Sequence, residues 1–326
     1  MMLKILSRQE LLNNHTMLVR PWHDKYLAMF SSVYGGIVTD PSIMMVPADD
    51  HLIHRGDGVF DVARCFHGGI YQFDGHLDRL MRSAAAISLE PPYSRDEIKE
   101  IAIATARVGG EENCLIRLTV SRGPGGFSVN PSECPKSELY VNVFRSTPVP
   151  KEHLVQGVRV VTSKVPIKPS YFARVKSCNY LPNVLMAMEA NRAGAHYSVI
   201  LDEKGCLAEG SAENIAVVSQ NRELLFPEFD RILKGLTVSR AAELARDLLD
   251  TGEISDIRFA DIRPEEAFRA REVLILGTSV DALPVVRFDD HIIGDGKPGP
   301  VFARLRDLII KDMTANPDII TRVTEV

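Results

Sequence analysis

The sequence predicts an α+β fold in two parts, and three observations carry that reading. The length of 326 residues, with 45% hydrophobic and 25% charged residues, is that of an ordinary globular chain; at about 100–200 residues per domain it suggests two cores. Strand-like and helix-like segments alternate without a regular βαβ beat, which argues against a doubly wound parallel sheet. A Pro-rich stretch, STPVPK (146–151), separates two apolar strand-like runs, 139–144 and 158–162. It divides the chain into a small N-terminal domain (1–147), a linker (148–153) and a large C-terminal domain (154–326).

Taken in order, the runs 59–66 (VFDVARCF) and 69–73 (GIYQF) flank His67-Gly68 and read as a hairpin. A helix is expected over 74–87. A second starts at Ser94, where Ser94 and Glu97 form a capping box ahead of Ile98, Ile101, Ala102 and Thr105. Strands over 115–121 and 139–144 complete the first half. In the second half, strands are expected over 158–163, 197–201, 214–218, 223–226 and 273–276, with helices over 180–192, 237–250 and 301–313. Leu181, Val184, Leu185, Ala187 and Met188 recur at helical spacing, the pattern of a core-facing stripe.

Composition also excludes functions. Thirty-eight Lys and Arg against 43 Asp and Glu give a net charge of −5, not the basic footprint that nucleic acid requires. No apolar run approaches the roughly 18 residues of a membrane span. Lys4, Arg8 and Glu10 stand where a secretory signal would place its apolar segment. The five cysteines (65, 114, 134, 178, 206) are scattered and show no CxxC spacing, so the chain is expected in the reducing cytoplasm without disulfides or structural zinc.

Several motif-like segments carry little chemistry. GDGKPG (294–299) matches GxGxxG but comes late, without a βαβ unit, and reads as a turn. Arg55-Gly56-Asp57 reads as part of a turn. His51 and His54 lack a third ligand, so no metal is expected. Cys178 reads as a small packing residue rather than a reactive thiolate.

The informative stretch is 173–213, with Lys176 in VKSCNYLPNVLMAMEA and then Glu209 and Glu213 in LAEGSAENIAV. A Schiff-base lysine gains a neutral amine by burial. A pyridoxal phosphate site needs three further things: a carboxylate facing the pyridine nitrogen, cationic and backbone donors for the phosphate, and a donor for the ring oxygen. The sequence offers a candidate for each.

With these residues the chain resembles the class IV, or fold-type IV, pyridoxal phosphate-dependent aminotransferases. The matching segments are HRGDGVFDVARCF (54–66), DGHLDRLMRSA (74–84), KSCNYLPNVLMAMEA (176–190), LDEKGCLAEGSAENIAVV (201–218), ILKGLTVSR (232–240) and LILGTSVDALPV (274–285). They run in the family's order across about residues 35–309, most similar to the D-amino acid aminotransferase-like branch. The resemblance implies a small N-terminal α/β domain, a larger C-terminal domain with a mixed, barrel-like sheet, and an active site between them. It implies that Lys176 bonds the cofactor, Tyr180 reaches its ring oxygen, Glu209 faces its ring nitrogen and Arg79 grips its phosphate. Leu236, Thr237 and Thr278 match positions that complete the phosphate cup. Phe60, Arg64, Arg122 and Ser279 match positions near the substrate, with the RGPGGF loop (122–127).

The implied reaction moves an amino group from a D-amino acid or a branched-chain L-amino acid to a 2-oxo acid in a ping-pong cycle, with Lys176 as general base and acid. Where bacterial D-amino acid aminotransferases carry an Arg-x-His carboxylate trap, this chain has GGFSV (125–129). Arg64 in FDVARCF is similar to a branched-chain enzyme segment, and it also suits a strand residue paired with a nearby acid. The same machinery could eliminate pyruvate from aminodeoxychorismate, or serve a non-catalytic carrier of the cofactor. The family further implies a homodimer whose partner closes part of each active site.

Overall fold

The computed structural model describes residues 3–16 and 19–323. Two sheets organise it. The first is antiparallel throughout, in the order Ile320–Arg322, Gly69–Tyr71, Gly58–Phe66, Cys114–Ser121, Glu138–Arg145, Tyr26–Ser31 and Gly36–Val38. The helices Phe73–Ala86 and Arg95–Gly109 cover one face, burying Leu77, Leu80, Ile98 and Ala102 against Ile116, Leu118, Val120 and Val141. Both segments of the expected hairpin pair across His67-Gly68, and Ser94 and Glu97 make the expected capping box. The end of the chain departs from the expected division. Ile320–Arg322 returns to the first sheet and covers the free edge of Gly69–Tyr71.

In the second sheet six strands close on themselves: Asn214–Val218, Glu272–Gly277, Asp281–Phe288, Val158–Thr162, Tyr197–Leu201 and Leu207–Gly210, which returns to Asn214. Pairing is mixed, because Val158–Thr162 runs parallel to both of its neighbours. Strand alternation supplies two cores. Ile215, Val217, Ile275 and Leu283 pack with Val158, Val160 and Val199, while Ala216, Val218, Leu274 and Leu276 meet helices that carry Val238, Leu305 and Ile309. A strand buried on both faces must read as a continuous apolar run, and NIAVV and EVLILG do.

Three readings need correction or completion. The helix expected over 237–250 is divided by a turn at Ala245, where ψ flattens to −10°, into Leu236–Leu244 and Arg246–Asp250. The stripe expected to face the core in Leu181–Arg192 does not do so. Leu181, Val184, Leu185 and Met188 are 69%, 51%, 42% and 39% exposed, and the buried face carries Asn183, Met186 and Ala190 instead. The GDGKPG segment is a turn, with Gly294 and Gly296 at φ +57° and +78°. It leads into the helix Pro300–Ala315, whose first amides are taken by the protein's own carboxylate: Val301 and Phe302 N–H donate to Glu272 at 2.9 and 2.8 Å.

Candidate active site

The strand Gly58–Phe66 pairs with Cys114–Ser121 along one edge, but Gly69–Tyr71 covers only the far end of the other. The uncovered stretch is filled by Lys176 and its neighbours. Phe60 N–H donates to the Lys176 carbonyl and Cys178 N–H to the Gly58 carbonyl, both at 2.9 Å. The Lys176 N–H donates to Ser83 Oγ at 3.2 Å, tying it to the helix Phe73–Ala86. The lysine backbone is thus clamped between a sheet edge and a helix, a rigid mount for a reactive side chain.

Its side chain lines a cavity shared, among others, with Lys168, Tyr180, Glu209, Glu213, Asn214 and Leu233. Lys176 Nζ lies 5.0 Å from the centroid of the Phe60 ring, and that ring meets Tyr180 edge-on at 4.9 Å. Burial, helped by the positive charges of Arg79 and Arg117, lowers the Lys176 amine to about 8, against the pull of Asp61 and Glu209. A neutral amine is therefore accessible near physiological pH. Burial and the Glu209 charge push the Tyr180 hydroxyl upward, which keeps it a proton donor.

Glu209 is placed by strand register. Asn214 pairs with Glu209 on one side and with Leu276 on the other, so Glu209, Asn214 and the turn after Gly277 share one end of the closed sheet. The Glu209 carboxylate accepts from Leu233 N–H at 3.3 Å. Burial raises it to about 7; Lys168, Leu233 N–H and Lys176 oppose that rise in descending order. Thr278 and Ser279 lie in the turn from Glu272–Gly277 to Asp281–Phe288.

Arg79 belongs to the helix Phe73–Ala86 but is not on its solvated face. Its guanidinium is buried and grips Asp61 at 2.7 and 2.8 Å, while Nη1 donates to the Lys234 carbonyl at 3.2 Å. His76 Nδ1 lies 2.7 Å from the same carboxylate. Burial alone would raise Asp61, but Arg79 and then His76 hold it well below the usual carboxylate range. Arg79 therefore reaches the loop that starts the helix Leu236–Leu244. No side chain caps that helix, so the amides of Leu236 and Thr237 are left for another acceptor. Gly235 makes room there: a Cβ on it would come within 1.9 Å of Asn214 Oδ1.

The residues expected near the substrate separate. Phe60 stands beside the Lys176 amine and the Tyr180 ring. Arg64 lies farther along the same strand face, ion-paired to Asp281 at 2.5 Å, and lines a second cleft with Ser279, Leu115 and residues 145–149. Arg122 is not brought to the lysine. Asp57 holds it at 3.1 Å, the Ile87 and Ser88 carbonyls take its other N–H groups, and it lines a separate groove. Cys178 is pushed up to about 11 by burial, which fits a packing thiol. His51 lies 3.4 Å from the Asp57 carboxylate and 3.2 Å from the Gly126 carbonyl, bracing the 122–127 loop.

Sequence reasoning missed four residues of the site. Asp61 and His76 fix Arg79, and the i, i+3 offset of His76 and Arg79 beside an acid in a neighbouring strand was a usable signal. Arg117 faces Val62 across the sheet, and its guanidinium lies 4.1 Å from the Phe60 ring centroid without an ion-pair partner among the described residues. Lys168 lines the lysine cavity with no sequence signal of its own.

A model of the family described as amino-transferase class IV matches residues 58–288. A D-amino-acid transaminase, chloroplastic, of Arabidopsis thaliana is 42% identical over 298 residues, covering 90% of this chain and 78% of that protein. A branched-chain-amino-acid aminotransferase of Pseudomonas aeruginosa is 30% identical over 263 residues, 78% of this chain and 84% of that one. Among solved structures, the T.th. branched-chain amino acid aminotransferase with pyridoxamine 5'-phosphate superposes with a TM-score of 0.85 at 27% identity, over 92% of this chain and 99% of that one.

Proposed function

The chain belongs to the class IV aminotransferases, pyridoxal phosphate-dependent transaminases with this mixed fold and closed six-stranded sheet, and from that premise we propose the roles of its own residues. The observation that carries the reading is the convergence of a lysine whose amine is lowered by burial, a hydroxyl donor and a half-buried carboxylate on one cavity, with the uncapped start of the helix Leu236–Leu244 just beyond the Leu233 that lines it. The residues fit the cofactor. The uncapped amides of Leu236 and Thr237 suit an anion, Gly235 lets Asn214 pack against that helix start, and Arg79, bonded to the Lys234 carbonyl, supplies positive charge. Thr278, at the same end of the sheet, completes the phosphate donors. Tyr180 is placed to donate to the ring oxygen and Glu209 to accept from the ring nitrogen. When bound, pyridoxal phosphate supplies an aldehyde that links to amines and a ring that takes up the electron pair left at the substrate Cα.

Lys176 Nζ, neutral in a useful fraction, removes the Cα proton of the amino acid and delivers it back on the cofactor side. Glu209, as a carboxylate, holds the proton on the ring nitrogen. The net reaction exchanges an amino acid and a 2-oxo acid for the other pair, in two half-reactions that share one site.

The donor is a D-amino acid or a branched-chain L-amino acid. Identity to the Arabidopsis D-amino-acid transaminase supports the first, and likeness to branched-chain enzymes supports the second. Arg117, a guanidinium against the Phe60 ring without an ion-pair partner among the described residues, is suited to a substrate carboxylate. The site lies between residues 1–147, to whose sheet Ile320–Arg322 returns, and the remainder of 154–326, joined at 148–153. The exposed stripe Leu181, Val184, Leu185 and Met188 starts next to Tyr180 and supports a homodimer. Five free cysteines support a reducing compartment such as the cytoplasm, and no helix among the described residues is long and apolar enough to cross a membrane.

A panel of D- and L-amino donors with 2-oxoglutarate and pyruvate, followed by chiral analysis of the products, tests the reading. Amino-group transfer with one handedness is expected. Release of p-aminobenzoate from aminodeoxychorismate without any transfer would overturn it.

A further inference from the structure

The cavity holds two lysines, and only Lys176 has a role so far. Lys168 sits in VPIKPS, where Pro169 biases it to extended backbone ahead of the short helix Ser170–Ala173. Its neighbours Val165 and Ile167 pack against the apolar cluster of Met186, Ile200, Ala208 and Ile232. Ala208 precedes Glu209, and Ile232 precedes Leu233, whose N–H bonds Glu209. The packing of residue 167 against this cluster therefore brings residue 168 to the cavity that the acid at 209 also lines. The Lys168 ammonium lies 5.0 Å from the centroid of the Tyr180 ring, inside the same cavity. Among the described residues it makes no hydrogen bond and no ion pair within 4 Å. A long side chain directed into a protein cavity, without a bonded partner, gives up hydration and rotamer freedom.

We propose that Lys168 is a positioning residue for Glu209, the positive charge against which that acid stays a carboxylate able to accept from the ring nitrogen. The inference rests on the role given to Glu209 above. The groups facing Glu209 are few: Leu233 N–H from the loop before the helix Leu236–Leu244, Lys176 and Tyr180 from the lysine segment, Glu213 from the turn before Asn214–Val218, and Lys168. Burial and Glu213 favour the protonated acid, and of the opposing groups Lys168 acts most strongly. Lys176 is a poor substitute, because its amine must lose its charge to act as a base. A second, non-reacting ammonium separates the two tasks.

The test uses the full-length protein freed of cofactor, with carboxyl-¹³C glutamate and the Glu209 signal assigned from Glu209→Gln. In Lys168→Met the Glu209 midpoint should rise by about one pH unit or more, a roughly tenfold change in proton affinity, and Lys168→Arg should restore it. An unmoved midpoint in Lys168→Met overturns the proposal, as does a failure of Lys168→Arg to restore it. A rise in substrate KM with the carboxyl midpoint unmoved would make Lys168 a substrate contact instead, and also overturns it. The role of Glu209 itself fails by a different sign: the bound-cofactor absorption of Glu209→Gln would match that of the unaltered protein.

Discussion

Asp61→Asn removes one negative charge while leaving the shape of the side chain. Asp61 is fully buried and binds both Arg79 and His76, so the substitution leaves the Arg79 guanidinium buried against a neutral amide. Breaking a buried pair by removing one partner costs about 3–5 kcal/mol. An amide oxygen still accepts one bond, so the lower end, about 3 kcal/mol, is expected. At an unfolding entropy of about 2.1 cal/mol/K per residue, a chain of this length shifts about 1.5 °C per kcal/mol, so the unfolding midpoint of the cofactor-free protein should fall by roughly 4–5 °C. Asp61 is held below its unfolded value, so its stabilisation is complete above an unfolded pKa of about 3.9 and is lost as pH falls through the folded value. The deficit of the variant should therefore be constant between pH 6 and about pH 8. Calorimetry across that range measures it, and the phosphate of added cofactor should recover part of the loss by giving Arg79 an anion. A variant that melts within 1 °C of the unaltered protein would refute the claim that this pair mounts the arginine.

Gly235→Ala drives a methyl into Asn214 at the start of the helix Leu236–Leu244; cofactor affinity, read by fluorescence titration, should fall about tenfold or more. Because burial lowers the Lys176 amine, reductive methylation of that residue in the cofactor-free protein should rise through about pH 8, while surface lysines respond near about 10.4. Its folded form binds the proton more weakly than the unfolded form, so this group costs stability fully below about pH 8, and the cost shrinks as pH rises toward about 10.4. Val184→Glu with Met188→Glu charges the exposed stripe of Leu181–Arg192; sedimentation should show the proposed dimer for the unaltered protein and single chains for the variant. A dimer that survives both charges would place the interface elsewhere.

The elements whose sequence carries its own period were legible. NIAVV and EVLILG are buried on both faces, so their apolar runs are continuous, and the capping box at Ser94 marks a real helix start. The stripe in Leu181–Arg192 shows the limit of that logic. Apolar spacing reports that a face avoids water, not that its own chain covers it. Lys176, Tyr180 and Glu209 stand together because sheet edges and barrel register bring residues 60, 176 and 209 into one place, and that adjacency was visible only through the family resemblance. Arg122 shows the converse, since a nearby acid and two carbonyls decide where its guanidinium goes. Lys168 and Arg117 carry no local signal, because their significance lies wholly in what folding places opposite them.

The central claim is that one amine of this chain, Lys176 rather than Lys168 or a surface lysine, bonds the cofactor aldehyde. Full-length protein saturated with pyridoxal phosphate, reduced with borohydride and digested, reads this directly by peptide mass. The account predicts a phosphopyridoxyl adduct on the peptide that contains residue 176, lost in Lys176→Ala. An adduct confined to another lysine, or none on a protein that still transaminates, would contradict it.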